Sequence, residues 1–293
     1  MTRPIISLGL STLLVLFSCA AGCAQRREAK EQIRREFTLT GAAGGSTLAL
    51  YNIFGSVTVQ GYAGNQVVVE ATRTISAPDA AALAGGQREA QLGFTQSGDS
   101  VVVYLAAPYD SRPHRPDGQR GNWGHRDVAY DYRYDFVVRV PQQLGLHVST
   151  VNDGTVRVQD VSGPLRLHNV NGAITMQNVR GTTEAFTVNG NVEASYAAPP
   201  PGASSYRTIN GQIKVEYPAS LGADLHFKSM HGEMFTDFPN PEILPVQVTK
   251  NQQGGGSGTV YKLTKDTAVR IGRGGPDMRF ETLNGDVIIT KRK

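Results

Sequence analysis

The sequence repeats itself most clearly over residues 151–194, which read VNDGTVRVQDVSGPLRLHNVNGAITMQNVRGTTEAFTVNGNVEA. Within this stretch a glycine preceded by Asp or Asn recurs every 18 residues, at Gly154, Gly172 and Gly190. Equivalent pairs lie on both sides of it, at Phe54-Gly55, Asn210-Gly211, His231-Gly232 and Asn284-Gly285. Asn-Gly pairs supply the positive φ angles that a tight turn requires. The sequence therefore predicts a unit of strand, tight turn and strand that occurs seven times.

Apolar and polar residues alternate after each turn, which is typical of a half-buried strand. The second residue after every turn glycine is apolar: Val57, Val156, Ile174, Val192, Ile213, Met234 and Val287. The residue two places before the glycine is also apolar in six units, and we expect it to face inward: Ile53, Val170, Val188, Ile209, Met230 and Leu283. The unit of Gly154 has Asn152 in that place, which predicts a one-residue bulge.

A unit of this size cannot bury its own apolar face, so neighbouring units must stack to form a core. Consecutive strands could pair as hairpins or wind as parallel rungs, and the equal register of the inward columns favours winding. We predict an all-β, repeat-built β-solenoid or β-helix-like body over residues 37–293. One short helix is expected within residues 76–93, and a long polar loop over residues 108–135.

The first 22 residues have the layout of a secretory signal peptide, with Arg3 before an apolar run and then small residues. Ala20-Ala21-Gly22-Cys23 is similar to a bacterial lipobox, which predicts a lipid anchor on Cys23; ordinary cleavage after Gly22 or Ala24 is the alternative. Residues 23–36 are predicted to hold the anchor and a charged linker, because RREAKEQIRRE at 26–36 reads as a solvated helix or linker. These features predict an exported envelope protein, an outer-membrane or periplasmic lipoprotein that meets the membrane by its anchor only.

The composition excludes several classes of function. Both cysteines lie at or before residue 23, so the body contains no disulfide and no cysteine metal site. The net charge of +4 comes from the N-terminal region and the Lys291-Arg292-Lys293 end, so the basic pI near 9.1 does not indicate a nucleic-acid partner.

The polar loop at 108–135 is either a disordered, solvated segment or a recognition loop, because long loops in compact domains are usually one or the other. It contains the residue types that are enriched in binding hot spots. Tyr, Trp and Arg side chains also suit recognition of sugar rings or proteins. We predict six contact residues there: Trp123, Tyr130, Tyr132, Tyr134, Arg120 and Arg126.

No set of residues predicts catalysis, a metal site or a cofactor. Glu233 and Asp286 become neighbours only if the segment between them loops out. His147, Ser149 and Asp153 superficially suggest a nucleophile with its base, but an exposed strand face has the same composition. Metal binding by His114 and His125 is the remaining alternative.

Two segments carry a resemblance to a known family: residues 137–158, VVRVPQQLGLHVSTVNDGTVRV, and residues 278–289, MRFETLNGDVII. They resemble the bacterial putative-adhesin family, whose members are exported or membrane-tethered proteins of unknown function with β-strand repeats. The resemblance implies a non-catalytic module that binds or scaffolds an envelope or extracellular protein or a glycan. The alternatives are a carbohydrate-active β-solenoid lyase or hydrolase, and an accessory component of envelope-stress signalling.

Overall fold

The computed structural model describes residues 26–41, 45–113, 127–245, 248–251, 260–263 and 267–292. It contains the helix α1 (Ala80–Glu89) and the following strands: β1 (Arg27–Thr38), β2 (Thr47–Tyr51), β3 (Val57–Tyr62), β4 (Gln66–Ala77), β5 (Gln91–Ser97), β6 (Ser100–Ala107), β7 (Asp131–Pro141), β8 (Gly145–Ser149), β9 (Val156–Gln159), β10 (Leu165–His168), β11 (Ile174–Val179), β12 (Thr183–Phe186), β13 (Val192–Tyr196), β14 (Ser204–Arg207), β15 (Ile213–Tyr217), β16 (Ala223–His231), β17 (Met234–Thr236), β18 (Glu242–Leu244), β19 (Val248–Asn251), β20 (Val260–Leu263), β21 (Thr267–Ile271), β22 (Asp277–Asn284) and β23 (Val287–Lys291).

The strands form two large mixed sheets in which most neighbours run parallel. Sheet 1 has the order β1-β4-β7-β3-β9-β11-β13-β15-β23-β17, and sheet 2 has the order β18-β21-β16-β22-β14-β12-β10-β8-β2-β6-β5. The buried apolar side chains form a core to which both sheets contribute. The prediction of a mostly β fold with a short helix is confirmed over the described residues, while winding as a β-solenoid stays a prediction.

Each repeat unit contributes one strand to each sheet, and we call such a unit a rung. The strands that follow the turn glycines lie side by side in sheet 1: β3, β9, β11, β13, β15, β23 and β17. Their registers align the predicted apolar column, since Val57 pairs with Val156, Val156 with Ile174, and Ile174 with Val192. All these pairs are parallel, so the alternative of hairpins between consecutive strands is wrong for the rungs.

The order of the rungs in space differs from their order in the sequence. The rung of β22 and β23 lies between the rung of β14 and β15 and the rung of β16 and β17. The segment between β17 and β22 loops out of the stack, with β18 and β21 continuing sheet 2 at its end.

The turn positions require glycine mainly because the backbones of neighbouring rungs lie very close together there. A Cβ atom on Gly190 would lie 2.3 Å from the carbonyl oxygen of Gly172, and one on Gly172 would lie 2.0 Å from that of Gly154. Of the seven turn glycines, only Gly55 and Gly285 have a positive φ. The expected reason, a positive φ in every turn, is therefore wrong for the other five, in which the neighbouring backbone leaves no room for a side chain.

Two ladders of polar side chains hold the turns together. Three residues before the glycine, a buried Thr or Asn side chain donates to the glycine carbonyl of the neighbouring rung, as in Asn169 to Gly154 at 3.1 Å and in Thr187 to Gly172 and Thr208 to Gly190, both at 2.8 Å. Directly before the glycine, or two residues before it in the unit of Gly154, the side-chain amides bond to one another along the stack: Asn171 to Asn152 at 2.7 Å, Asn189 to Asn171 at 2.8 Å, Asn210 to Asn189 at 2.8 Å and Asn284 to Asn210 at 2.7 Å.

The side chain that faces inward is the one three residues before the glycine, whereas the sequence predicted an inward side chain two residues before it. The residues two before the glycine were expected inside, but Leu283 and Met230 are 37% and 69% exposed, and only Ile53 of this column is buried. The prediction is wrong for this column because the carbonyl oxygens of the turn glycines need a buried hydrogen-bond donor. The residue three places before the glycine supplies that donor and faces inward, so the next residue faces outward. The predicted bulge is confirmed: the extra residue is Asp153, with φ of 56°.

The charged segment at 26–36 is not a helix or a linker. Arg27–Thr38 forms β1, which pairs antiparallel with β4 along its whole length and is the edge of sheet 1. Glu31 meets Arg73 and Arg34 meets Glu70 across this pair, so the charges that suggested solvation are matched between strands. Such charges on an edge strand also discourage pairing with another chain.

The closeness of the rungs makes a direct stability prediction. Gly190→Ala forces a Cβ atom onto the carbonyl group of Gly172, so we expect a loss of roughly 3 kcal/mol or more in the free energy of unfolding. The matched control is Gly85→Ala in α1, where the new Cβ meets no atom within 4 Å and should stabilise the helix by about 1 kcal/mol. Urea unfolding measures both, and equal effects of the two substitutions would contradict the steric account.

Candidate functional site

The outer face of sheet 2 carries three rows of side chains that cross the strands along the stack. The polar row is His147, Arg166, Glu184, Ser205 and Arg279. The aromatic row, two residues further along each strand, is Tyr51, Ser149, His168, Phe186, Arg207, Glu281 and Lys228. The aliphatic row, at the ends of the strands, is Val151, Val170, Val188, Ile209, Leu283 and Met230, and it begins beside Ile53, which is buried. Parallel pairing places these residues in line because each strand repeats the register of its neighbour.

Rings of the polar and aromatic rows touch one another across four strands. Tyr51 packs edge-on against His147 with ring centroids 5.2 Å apart, and His147 against His168 at 5.9 Å. His168 in turn meets the Phe186 ring at 6.2 Å, over which the Arg207 guanidinium lies at 5.4 Å. Edge-to-face contacts of this kind hold the rings in fixed orientations.

The band of rings ends at Tyr104 of β6, which pairs with Tyr51. The Arg112 guanidinium lies 3.9 Å from the centre of the Tyr104 ring. Gly93 of β5 lies against the same ring, since a Cβ there would come within 2.3 Å of it. The ring of Tyr104 therefore has other parts of the chain against it, and it is half-buried, as are the rings of Tyr51 and Phe186.

The two histidines of this band favour their neutral form. Burial lowers the pKa of His147, and the neighbouring His168 and Arg166 lower it further. Burial also lowers the pKa of His168, against the opposing effect of Glu184. Nδ1 of His147 lies 3.3 Å from the Tyr51 hydroxyl, and the buried Nε2 of His168 lies 3.8 Å from the Glu184 carboxylate, beyond hydrogen-bond distance. In their neutral form the two imidazoles add uncharged aromatic rings to this part of the face.

A shallow groove of about 570 Å³ runs along the polar row. Small residues from the beginnings of the strands line it, among them Gly145, Thr182 and Ala203. Arg166 and Glu184 form an ion pair at 2.9 Å, and Arg279 lies 3.9 Å from Asp277, so the charges along the groove are matched within it.

The structure buries three of the six predicted contact residues. Tyr130, Tyr132 and Tyr134 belong to β7 and the residue before it, with exposures of 5%, 6% and 0%. Tyr130 donates to Glu89 at 2.9 Å and Tyr134 to the Ala90 carbonyl at 2.7 Å, while burial raises the pKa of Tyr134 to about 12. The prediction of a surface contact is wrong for these three, because their alternation with charged residues is that of a strand whose tyrosines face the core. Trp123, Arg120, Arg126 and Cys23 lie outside the described residues.

Three of the residues considered for chemistry, Glu233, Asp286 and Asp153, make contacts within the turns. The segment between Glu233 and Asp286 does loop out and makes them neighbours, but Asp286 accepts the backbone N–H of Glu233 at 2.9 Å and so caps the turn. Asp153 lies in the turn, where its carbonyl accepts from Arg133 at 2.7 Å. Over the described ranges, no three His, Cys, Asp or Glu side chains are placed to hold a metal ion. Within the same ranges, the structure has no helix of the length and apolarity needed to cross a membrane. His114 and His125 lie outside the described residues.

Comparison with known proteins gives distant structural matches. No protein-family model matches the sequence, and neither does any curated protein. A putative cell adhesion protein from Clostridium sporogenes is 9% identical, with a TM-score of 0.46 over 90% of this chain and 100% of that chain. A putative adhesin from Bacteroides fragilis is 8% identical and a putative lipid binding protein from Parabacteroides distasonis 10%, with TM-scores of 0.29 and 0.28 over 89% of this chain and 97% of each of theirs. The resemblance to putative adhesins thus extends to solved structures, but likenesses this distant carry no information on ligand or activity.

The aromatic row was visible in the sequence but was not recognised. Four places before the turn glycine stand Tyr51, His168, Phe186 and Arg207, a column that alignment on the glycines displays directly. The inserted residue Asp153 puts Ser149 five and His147 seven places before Gly154, so neither aligns with the residue beside it in the sheet.

The lowered histidine pKa values predict a pH dependence of stability. Because folding disfavours the charged forms of His147 and His168, the unfolded chain binds more protons below the ordinary pKa of 6.5. The stability that these groups confer is therefore complete above pH 6.5 and is lost as the pH falls toward their lower folded-state values. Urea unfolding of the wild type and of the double variant His147→Gln, His168→Gln, from about pH 8 to about pH 5, tests this. We expect the difference between the two proteins to shrink with acidification, and a constant difference would refute it.

Proposed function

We propose that this protein is a non-catalytic binding or scaffolding module of the bacterial cell envelope, which presents the outer face of sheet 2 to a partner. The partner is a protein or a glycan in the envelope or outside the cell. The observation that supports this most directly is the band of Tyr51, His147, His168 and Phe186 rings beside a row of partly exposed aliphatic side chains. Aromatic and aliphatic groups gathered on one face are typical of an interaction surface.

The outer face of sheet 1 differs in character from that of sheet 2. Its central row is Thr58, Arg157, Thr175, Glu193 and Lys214, which are polar or charged. The row ends in apolar residues, Val137 on one side and Ile288 and Phe235 on the other. Its five central residues are typical of a solvated face. Since both faces are built on the same rungs, the concentration of rings on sheet 2 is not a by-product of the repeat.

Several finer features belong to the proposal. The rungs wind as a β-solenoid, the form that alternation of successive strands between two parallel sheets supports. The protein is exported, its signal peptide is removed, and Cys23 carries the lipid that anchors it. Trp123, Arg120 and Arg126 contribute contacts to the same partner.

Substitutions on the two faces test the binding surface. Phe186→Ala removes a ring from the aromatic row, whereas Phe235→Ala removes a 48% exposed ring from sheet 1 and is the matched control. We expect Phe186→Ala to weaken co-sedimentation with purified peptidoglycan sacculi or envelope membranes about tenfold, the effect of a single interface ring. The control should bind as the wild type does. Equal binding by both variants would exclude sheet 2 as the surface.

The anchor is tested separately by fractionation. The wild type should sediment with membranes and take up a labelled fatty acid, and Cys23→Ser should leave it unlabelled and in the soluble fraction. Cys19→Ser, which alters a cysteine of the signal peptide, is the control and should change neither result. A wild type that is already soluble and unlabelled would overturn the lipoprotein assignment.

A further inference from the structure

The groove along the polar row has the shape and direction needed for an extended polymer. Its row residues come from five consecutive strands, β8, β10, β12, β14 and β22, with one residue from each. Adjacent strands lie roughly 4.8 Å apart, so the row is about 19 Å long and perpendicular to the strands. A ligand that follows it meets the same spacing at each step, which favours a chain of similar units.

Only side chains can bind such a ligand on this face. The backbone groups of these strands are engaged in parallel pairing on both sides, so a peptide could not add to the sheet here. What the row offers is the Arg166 and Arg279 guanidiniums as donors, the Glu184 carboxylate as acceptor and the Ser205 hydroxyl as both. This mixture of donors and acceptors matches a ligand that is rich in hydroxyl groups.

The charge of the groove indicates that the ligand is uncharged. Arg166 is paired with Glu184 at 2.9 Å, and Asp277 lies between His226 at 3.3 Å and Arg279 at 3.9 Å, so each guanidinium of the groove has a carboxylate beside it. An anionic polymer would have to displace these internal partners, and a cationic one would meet the guanidiniums. At one end of the row the rings of Tyr51 and His147 supply an apolar surface for the C–H face of a sugar.

We propose that this groove binds a neutral, extended polysaccharide strand lying along the stack, with about one sugar unit for each rung. The proposal rests on the binding function proposed above and specifies the chemistry of its ligand. The units of β-linked hexose chains are about as long as the spacing between rungs, so successive units can meet successive polar side chains. The small residues Gly145, Thr182 and Ala203 leave room for the strand beside them.

Calorimetric titration with neutral oligosaccharides tests this proposal. The probes are cello-, chito-, xylo- and manno-oligosaccharides of increasing length, with polygalacturonate and dextran sulfate as anionic polymers. We expect at least one neutral series to bind, with affinity rising to about five units, because the row crosses five strands. Affinity should change less than about twofold from about 0.01 M to about 1 M salt, since no net charge is neutralised.

A matched pair of variants locates the site. Ser205→Arg fills the groove on sheet 2, and Ser195→Arg adds the same side chain to the outer face of sheet 1 on the neighbouring strand β13. The first should lower glycan affinity at least tenfold, and the second should leave it unchanged. Circular dichroism confirms that each variant is folded.

The outcomes separate this inference from the proposed function. Failure of all neutral series to bind, preference for the anionic polymers, or equal binding by the two arginine variants would each overturn it. If Phe186→Ala loses envelope binding and one of these three results is obtained, the binding function proposed above stands and its partner is a protein. If Phe186→Ala still binds envelope material and Ser205→Arg loses glycan binding, the band of rings is not the envelope-binding surface. The groove then remains the glycan-binding site.

Discussion

The close approach of backbone to backbone at the turns is the constraint on which the rest of this structure depends. Turn glycines lie directly over one another, with the carbonyl of one rung where the Cβ of the next would be. At that distance the carbonyls cannot all be satisfied by the sheet ladders, so buried Thr and Asn side chains donate to them. The asparagine amides then bond along the outside of the same turns. The register of both sheets follows, because each turn is fixed relative to its neighbour.

This exact register explains how short, irregular strands can present an ordered surface. Strands of four or five residues such as β10, β12 and β14 place only two or three side chains outward. A surface of useful size therefore comes from adding rungs and not from longer strands. The rows on sheet 2 combine rings, aliphatic groups and balanced charges at a constant step, a pattern suited to a ligand that repeats. The buried hydroxyls beneath them keep the rows rigid, since moving one strand would break bonds in two rungs.

The sequence predicted the features that depend on residues close together in the chain. Glycine spacing and alternation located the rung strands, because a turn and its two strands are local. The strand β1 was missed because its regular feature is charge matched to β4, about 40 residues away, and not apolar periodicity. Tyr130, Tyr132 and Tyr134 were taken for contact residues, although their period of two is that of a strand. The site was missed because it is assembled across rungs, and the insertion of Asp153 shifts one rung against the others.

The position of β22 and β23 inside the stack has a consequence for how the protein is made. Residues 277–291 form the penultimate rung in space, between strands that are all synthesised earlier. The rung of β16 and β17 thus has no parallel neighbour until β22 and β23 have left the ribosome. Rungs from β2 to β15 can assemble during synthesis, whereas closure of the far end must wait for residues 277–291. A chain that stops before residue 277 would lack an interior layer and expose two rungs at once.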